Sequence, residues 1–254
     1  MEINSENWKL IWSDEFSGTE LDRTKWRFDI GNNNGWGNNE LQYYTEGKNI
    51  FFENGMLVIE ARREEIKSGG RTYNYTSTRI KTENLFEVQY GKIEARIKVP
   101  QGKGLWPAFW MLGSIRYVGW PLCGEIDIME FLGHDKWTIY GTVHGPKYSA
   151  SQGISRAFRL DPTKDKPFTQ EFYVFGILWN ENEIVWYVND KIYHRVTKDS
   201  LEKQGKVWVF NQPFFIILNL AVGGNWPGYP DFDTPFPARM YIDYVRAYEY
   251  QENN

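Results

Sequence analysis

The chain has 254 residues, a formal net charge of −4 and 41% hydrophobic content, enough apolar material for one large core or two small ones. Its 29 Lys and Arg residues gather into no basic stripe, which argues against nucleic acid and against an anionic membrane surface as partners. Cys123 is the one cysteine and the three histidines are scattered, so an internal disulfide is excluded and neither a structural nor a catalytic zinc motif is present.

The amino terminus, Met-Glu-Ile-Asn-Ser-Glu, has neither the basic nor the apolar region of a signal peptide. Because a mature or excised domain carries no leader, this says little about compartment, and the expected location is extracellular. Strand-like segments recur at regular intervals from Trp8 to Tyr248 with no linker and no repeat, which predicts one domain over residues 1–254. Gly31 to Asn39 reads as a loop, and Lys92 to Val99 alternates charged and apolar residues without a fault, as a strand with one wet face does. Gly102 to Trp106 and Gly113 to Gly124 are predicted loops. Phe172 to Trp179 and Glu183 to Val188 flank Asn180-Glu181-Asn182 as a hairpin, and Asn189-Asp190 turns into Lys191 to Val196. Asp199 to Gln204 is the one short helix predicted. Phe214 to Val222 is the longest apolar run; interrupted by Asn219, it is too short to span a bilayer and reads as a central strand. Gly223 to Pro237 is a loop and Met240 to Tyr248 a late strand. Many strands and few helices predict an all-β fold of sheet on sheet. The predicted loops, rich in Trp, Asn, Gly and Pro, are expected to line a cleft.

Glu125-Ile-Asp-Ile-Met-Glu130 places three carboxylates in an apolar stretch with no interleaved Lys or Arg. Unpaired charges on a half-buried strand cost several kcal/mol, on the order of a buried ion, so the segment points to chemistry rather than packing. A single Glu on a strand is ordinarily a solvated face residue; three at this spacing, with Ile126, Ile128 and Phe131 packing the other side, are not. Glu125 and Asp127 share a face, but Glu130 has the wrong parity unless one extra residue, a bulge around Ile128-Met129, turns it back. Retaining glycoside hydrolysis needs a carboxylate nucleophile and a carboxylic acid about 5 to 5.5 Å apart. At about 3.4 Å per residue the two glutamates stand roughly 13 Å apart at their α-carbons with one position bulged, a gap two inward-leaning side chains can largely close. Glu125 is expected to attack, Glu130 to act as acid and then base, and Asp127 to orient the nucleophile, with the neighbouring charges helping to keep Glu130 protonated.

Twelve tryptophans are many for this length, and an indole face stacks on the C–H groups of a sugar ring. Trp106, Trp110 and Trp120 lie close enough in sequence to the acids to reach the cleft, and Trp36 and Trp226, in Gly/Asn loops, are expected there too. Trp179 and Trp186, inside hairpin strands, are expected in the core. His144, in Tyr140-Gly-Thr-Val-His-Gly145, falls on the strand expected beside the acidic one. It is either a satisfied core or rim histidine, or a partner of Asp127 or a sugar hydroxyl.

Glu125-Ile-Asp-Ile-Met-Glu130, with Gly119-Trp-Pro-Leu-Cys-Gly124 and Trp106-Pro-Ala-Phe-Trp110, resembles the laminarinases, endo-β-1,3-glucanases of glycoside hydrolase family sixteen. Trp12-Ser-Asp-Glu-Phe16, Trp36-Gly-Asn-Asn-Glu-Leu-Gln-Tyr-Tyr-Thr45, Thr142-Val-His-Gly145 and Asn219-Leu-Ala-Val-Gly-Gly-Asn-Trp-Pro-Gly228 extend the likeness over nearly the whole chain, in order. The resemblance implies a jelly-roll sandwich of two curved antiparallel sheets with an open concave cleft. It implies Glu125 as nucleophile, Asp127 assisting, Glu130 as acid and base, and His144 nearby. It implies sugar contacts from Asn39, Arg79, Trp106, Trp110, Trp120, Asn219 and Trp226. It also implies a structural calcium ion on the convex side, matched by Glu15, Gly55 and Asp243, and no cofactor for catalysis. The implied partner is a β-glucan such as laminarin, curdlan or mixed-linkage glucan, acted on by a monomer.

Three other readings compete. Strict mixed-linkage glucanases of the family resemble Glu-x-Asp-x-Glu, without the bulge residue Met129 supplies. Galactan hydrolases share the bulged motif, but sulfated substrates favour a basic cleft that is not visible. A carbohydrate-binding sandwich without chemistry has no use for the acid trio.

Overall fold

Alternation of apolar and polar side chains cuts this chain into strands, and in the computed structural model, which describes residues 2–114 and 118–252, they form two large antiparallel sheets. The seven-stranded sheet runs, in spatial order, Ile154–Arg159, Thr138–His144, Glu125–Phe131, Leu105–Gly113, Phe214–Val222, Arg79–Lys81 and Arg27–Asp29. The eight-stranded sheet runs Lys191–Thr197, Glu183–Val188, Tyr173–Trp179, Gly91–Lys98, Ala238–Tyr250, Met56–Ala61 and Ile50–Glu53, with Trp8–Asp14 paired to Ala238–Tyr250 as the eighth. Side chains from both sheets meet in one core.

Most predicted elements are present. Phe214–Val222 is buried along its whole length between Leu105–Gly113 and Arg79–Lys81, which is why its sequence is apolar at both parities. The hairpin around Asn180 closes with the Asn180 N–H on the Glu183 carbonyl, and Asn189 takes the left-handed conformation its turn requires. The helix covers Lys198–Glu202, started by the Thr197 hydroxyl accepting from the Ser200 N–H. The last strand, Ala238–Tyr250, overruns the predicted Met240 to Tyr248 because three neighbouring strands pair with different parts of it.

One predicted loop is corrected. Leu105 and Trp106 already pair with Val222 and Ala221, so Trp106 and Trp110 stand on a strand, one that Pro107 disguises in the sequence. Gly31 to Asn39 contains a 3-10 turn at Asn33–Gly35. Residues 115–117 of the predicted Gly113 to Gly124 loop lie outside the described residues.

Parity decides what the seven-stranded sheet shows on each face. Leu105, Phe109, Met111, Ile126, Ile128, Met129, Phe131, Ile139 and Val143 belong to the core. Trp106, Trp110, Glu125, Asp127, Glu130, Tyr140, Thr142 and His144 therefore project to the opposite face. Ile128 and Met129 are consecutive and both inward, so the strand is bulged there: Asp127 pairs with Thr142 and Glu130 with Tyr140, leaving two residues against one, Gly141.

A bulge disturbs the ladder, and here the other sheet supplies a hydrogen bond to the strand beside it. Trp186, fully buried on Glu183–Val188, crosses the core and donates its indole N–H to the Asp127 carbonyl at 2.8 Å. It fits because the residue opposite the bulge is Gly141, where a Cβ would lie 2.6 Å from Trp186 Cδ1 and 2.4 Å from the Tyr193 hydroxyl. Trp186→Phe, which keeps the ring and removes the donor, is expected to cost about 1–3 kcal/mol of stability. The measurement is the shift in urea midpoint; an unshifted midpoint would mean the bulge carbonyl needs no partner.

Candidate active site

Three outward acids occupy one strand, and register places their neighbours. His144 stands opposite Glu125, Thr142 opposite Asp127, and Ala108 opposite Glu130. The Trp120 indole N–H donates to Glu125 Oε2 at 2.5 Å, and the Trp106 indole N–H to Glu130 Oε1 at 3.3 Å. The Thr142 hydroxyl donates to Glu130 Oε2 at 3.4 Å. His144 Nε2 lies 3.2 Å from Asp127 Oδ2 and 4.0 Å from Glu125 Oε1. Each glutamate thus has its own indole donor, while Asp127 sits between them facing the imidazole.

Asp127 and Glu130 are buried, and no Lys or Arg among the described residues pairs with any of the three acids. Burial raises all three. Glu130 is pushed well above the ordinary glutamate value, first by burial and then by the charges of Asp127 and Glu125. Burial, with the Asp127 charge behind it, lifts Glu125 to about 8, and the Trp120 N–H works the other way by favouring the carboxylate. Asp127 is lifted to about 7, again by burial. Three carboxyls so close cannot all be ionised, and Glu130 is the one that keeps its proton. The arrangement can therefore present a carboxylate and a carboxylic acid together on one face.

The predicted aromatic wall is present and joined up. Trp226, 42% exposed, meets Trp106 edge-on at 5.8 Å between centroids and Tyr140 at 5.0 Å. Trp120 is 47% exposed, with its ring 6.2 Å from His144. Trp179 and Trp186 are in the core, as expected. Trp36 is half-buried and serves as a backing plate: the Arg79 guanidinium lies between its ring and that of Trp110, 4.6 and 4.8 Å from their centroids.

Several residues expected to touch sugar are engaged with protein. Arg79 is paired with Asp29 at 2.9 Å. Asn219 accepts from the Trp110 indole at 2.7 Å and donates to the Tyr44 hydroxyl at 3.1 Å, so both ends of its amide fix the wall. Asn39 donates to Asn225, tying the loop after Gly31 to the one after Gly223. Thr142, Tyr140 and Asp29 are the site residues that sequence reasoning missed. The alternation of Tyr140, Thr142 and His144 beside the acidic strand carried the signal for the first two; Asp29 had none, being a surface-type acid on a three-residue strand.

Glu15, Gly55 and Asp243 lie on or beside Trp8–Asp14, the Ile50–Glu53 to Met56–Ala61 turn and Ala238–Tyr250, neighbouring strands of the eight-stranded sheet. Glu15 makes a two-pronged pair with Arg246 at 2.9 and 2.7 Å, and Asp243 pairs with Arg96 at 2.7 Å. Both carboxylates are thus engaged by guanidinium groups rather than turned together toward a cation.

A family model described as Glycosyl hydrolases family 16 matches residues 37–246. The endo-β-1,3-glucanase from Pyrococcus furiosus is 57% identical, with a TM-score of 0.96 over 100% of this chain and 98% of that one. The laminarinase catalytic domain from Thermotoga maritima is 55% identical, with a TM-score of 0.94 over 97% of this chain and 100% of that one. A Rhodothermus marinus protein named beta-glucanase is 42% identical over 97% of this chain and 87% of its own length.

The raised carboxyls have a cost in stability with a definite sign. Above the ordinary glutamate value the unfolded chain releases the Glu130 proton while the folded chain holds it, so folding loses free energy as pH rises toward the folded value. Glu130→Gln removes that loss. Its denaturation midpoint is expected to exceed the wild-type midpoint at pH about 8 and to converge on it below pH about 4. A variant less stable than wild type at the higher pH would contradict the protonation assignment.

Proposed function

The chain belongs to the glycosyl hydrolases of family 16, and on that premise we propose that it hydrolyses internal β-1,3 bonds of laminarin-type glucans with retention of configuration. The observation that carries this reading is the bulge at Ile128-Met129, which brings Glu130 onto the face of Glu125 and Asp127. Glu125 attacks the anomeric carbon in its carboxylate form, the form the Trp120 N–H favours, while Glu130 gives its proton to the departing glycosidic oxygen. Having given up its proton, Glu130 is the base that takes one from water as the water oxygen attacks the anomeric carbon of the glycosyl ester and the bond to Glu125 breaks. Asp127 and His144 hold the nucleophile's position between these steps. Trp106, Trp120 and Trp226 offer indole faces for sugar rings, and Trp110, braced by Arg79 and Asn219, keeps the wall upright. This chemistry needs no cofactor.

The linkage preference rests on relatives named for β-1,3 activity and on the bulged form of the motif; mixed-linkage glucan is a secondary substrate in this reading. A lectin-like reading has no place for a buried acid held protonated beside two others. A polymeric substrate supports action outside the cell, and one copy of the chain supplies every group named. Proton NMR of laminarin digests is expected to show the β-anomer first. Glu130→Gln is expected to lower kcat/KM on laminarin by about 10²- to 10⁴-fold. Inverted product, or an active Glu125→Ala variant, would sink the proposal.

A calcium ion at Glu15, the Gly55 carbonyl and Asp243 belongs to the same proposal. Its donor chemistry, two carboxylates and a carbonyl, suits a hard cation, but the groups as they stand do not fit one: the ion must displace Arg246 and Arg96 from the acids. Millimolar calcium is expected to raise the Tm of wild type and leave that of Asp243→Asn unmoved; an equal response from both would remove these residues as ligands.

A further inference from the structure

We propose that Glu125, Asp127 and His144 form a chelating site for a borderline divalent transition-metal ion, Zn2+ or Cu2+, and that its occupation blocks the catalytic face. One donor atom from each residue lies within 4.8 Å of the other two. Ligands at about 2.0–2.2 Å on a tetrahedral zinc stand about 3.3–3.6 Å from one another. The distances from His144 Nε2 to the two acids, 3.2 and 4.0 Å, bracket that spacing, and the two carboxylate oxygens stand within 4.8 Å of each other, so side-chain adjustment without backbone movement would close the set.

Three further features separate this cluster from a plain group of acids. Asp127, only 2% exposed, has an oxygen, Oδ2, that faces the imidazole and accepts no hydrogen bond from the described residues. Such an atom is costly to bury unless something binds it. The imidazole is held in place: Gly153 packs on its far edge, where a Cβ would lie 2.4 Å from His144 Cε1 and 2.7 Å from Nδ1. Two carboxyl groups also face a single imidazole with no Lys or Arg partner among the described residues, so a divalent cation would supply a counter-charge to both. An imidazole nitrogen with two carboxylate oxygens selects zinc or copper over calcium or magnesium. The exposed cleft beside Trp120 leaves a fourth position open to water, as an exchangeable ion requires.

Metal binding stands whether or not Glu125 is the nucleophile; only the loss of hydrolysis rests on that assignment. Equilibrium dialysis of the wild-type chain against zinc is expected to show one bound ion per chain. His144→Asn and the isosteric Asp127→Asn are each expected to weaken it at least tenfold, and His134→Asn, a control at an exposed histidine, not at all. Zinc is expected to inhibit laminarin hydrolysis competitively, with recovery on adding EDTA. No stoichiometric zinc on the wild-type chain, or binding unchanged in folded His144→Asn and Asp127→Asn, would overturn the site. Zinc bound through His144 with hydrolysis undiminished would support the ligand set and overturn the role given to Glu125.

Discussion

The hydrogen bond from Trp186 to the Asp127 carbonyl lets this sheet carry an irregular strand at its functional centre. A regular strand from Glu125 to Phe131 would send Glu130 into the core, where its charge has no partner. One extra residue corrects the direction but breaks the ladder to Thr138–His144. The irregular strand is braced because an indole from the second sheet reaches the Asp127 carbonyl beside the bulge and because Gly141 leaves room for it. The two-layer architecture therefore does more than shelter a core: the far sheet supports the near sheet's defect.

Burial then sets the chemistry. Taking three carboxyls out of water raises all of them, and at Glu130 the charges of both Asp127 and Glu125 add to the effect of burial. Two indole donors and a threonine hydroxyl restrain the glutamates without adding positive charge, so Glu130 keeps its proton and Glu125 its direction. A lysine or arginine in their place would stabilise the fold and pull the acid's value down. The same absence of cationic partners among the described residues is what the proposed metal site draws on.

The aromatic wall depends on a second polar layer beneath it. Asn219 on the central strand ties Trp110 to Tyr44, and Arg79, anchored by Asp29, fills the space between Trp110 and Trp36. Behind them Glu40, its carboxyl raised by burial, is held by Asn38 and Gln42, and Gln42 accepts from the Val222 N–H. The loop after Gly31 is therefore attached to the sheet rather than draped over it. Rings fixed in this way lose little rotamer freedom when a ligand stacks on them.

Local pattern was enough to determine the strand class, the central strand Phe214–Val222, the hairpin at Asn180 and the short helix, because period-two alternation and turn residues are written along the chain. It was enough, too, for the acidic trio and the need for a bulge, since parity is a one-dimensional property. Pro107 hid a strand start, because whether proline's missing donor matters depends on what lies beside it. Sequence alone could not say that Arg79 and Asn219 are engaged by protein partners, that Glu15 and Asp243 are paired with arginines, or that Trp186 holds the bulge from the other sheet. Those facts depend on which strands become neighbours and on how close two sheets approach, and distance between residues far apart in the chain is created only by folding.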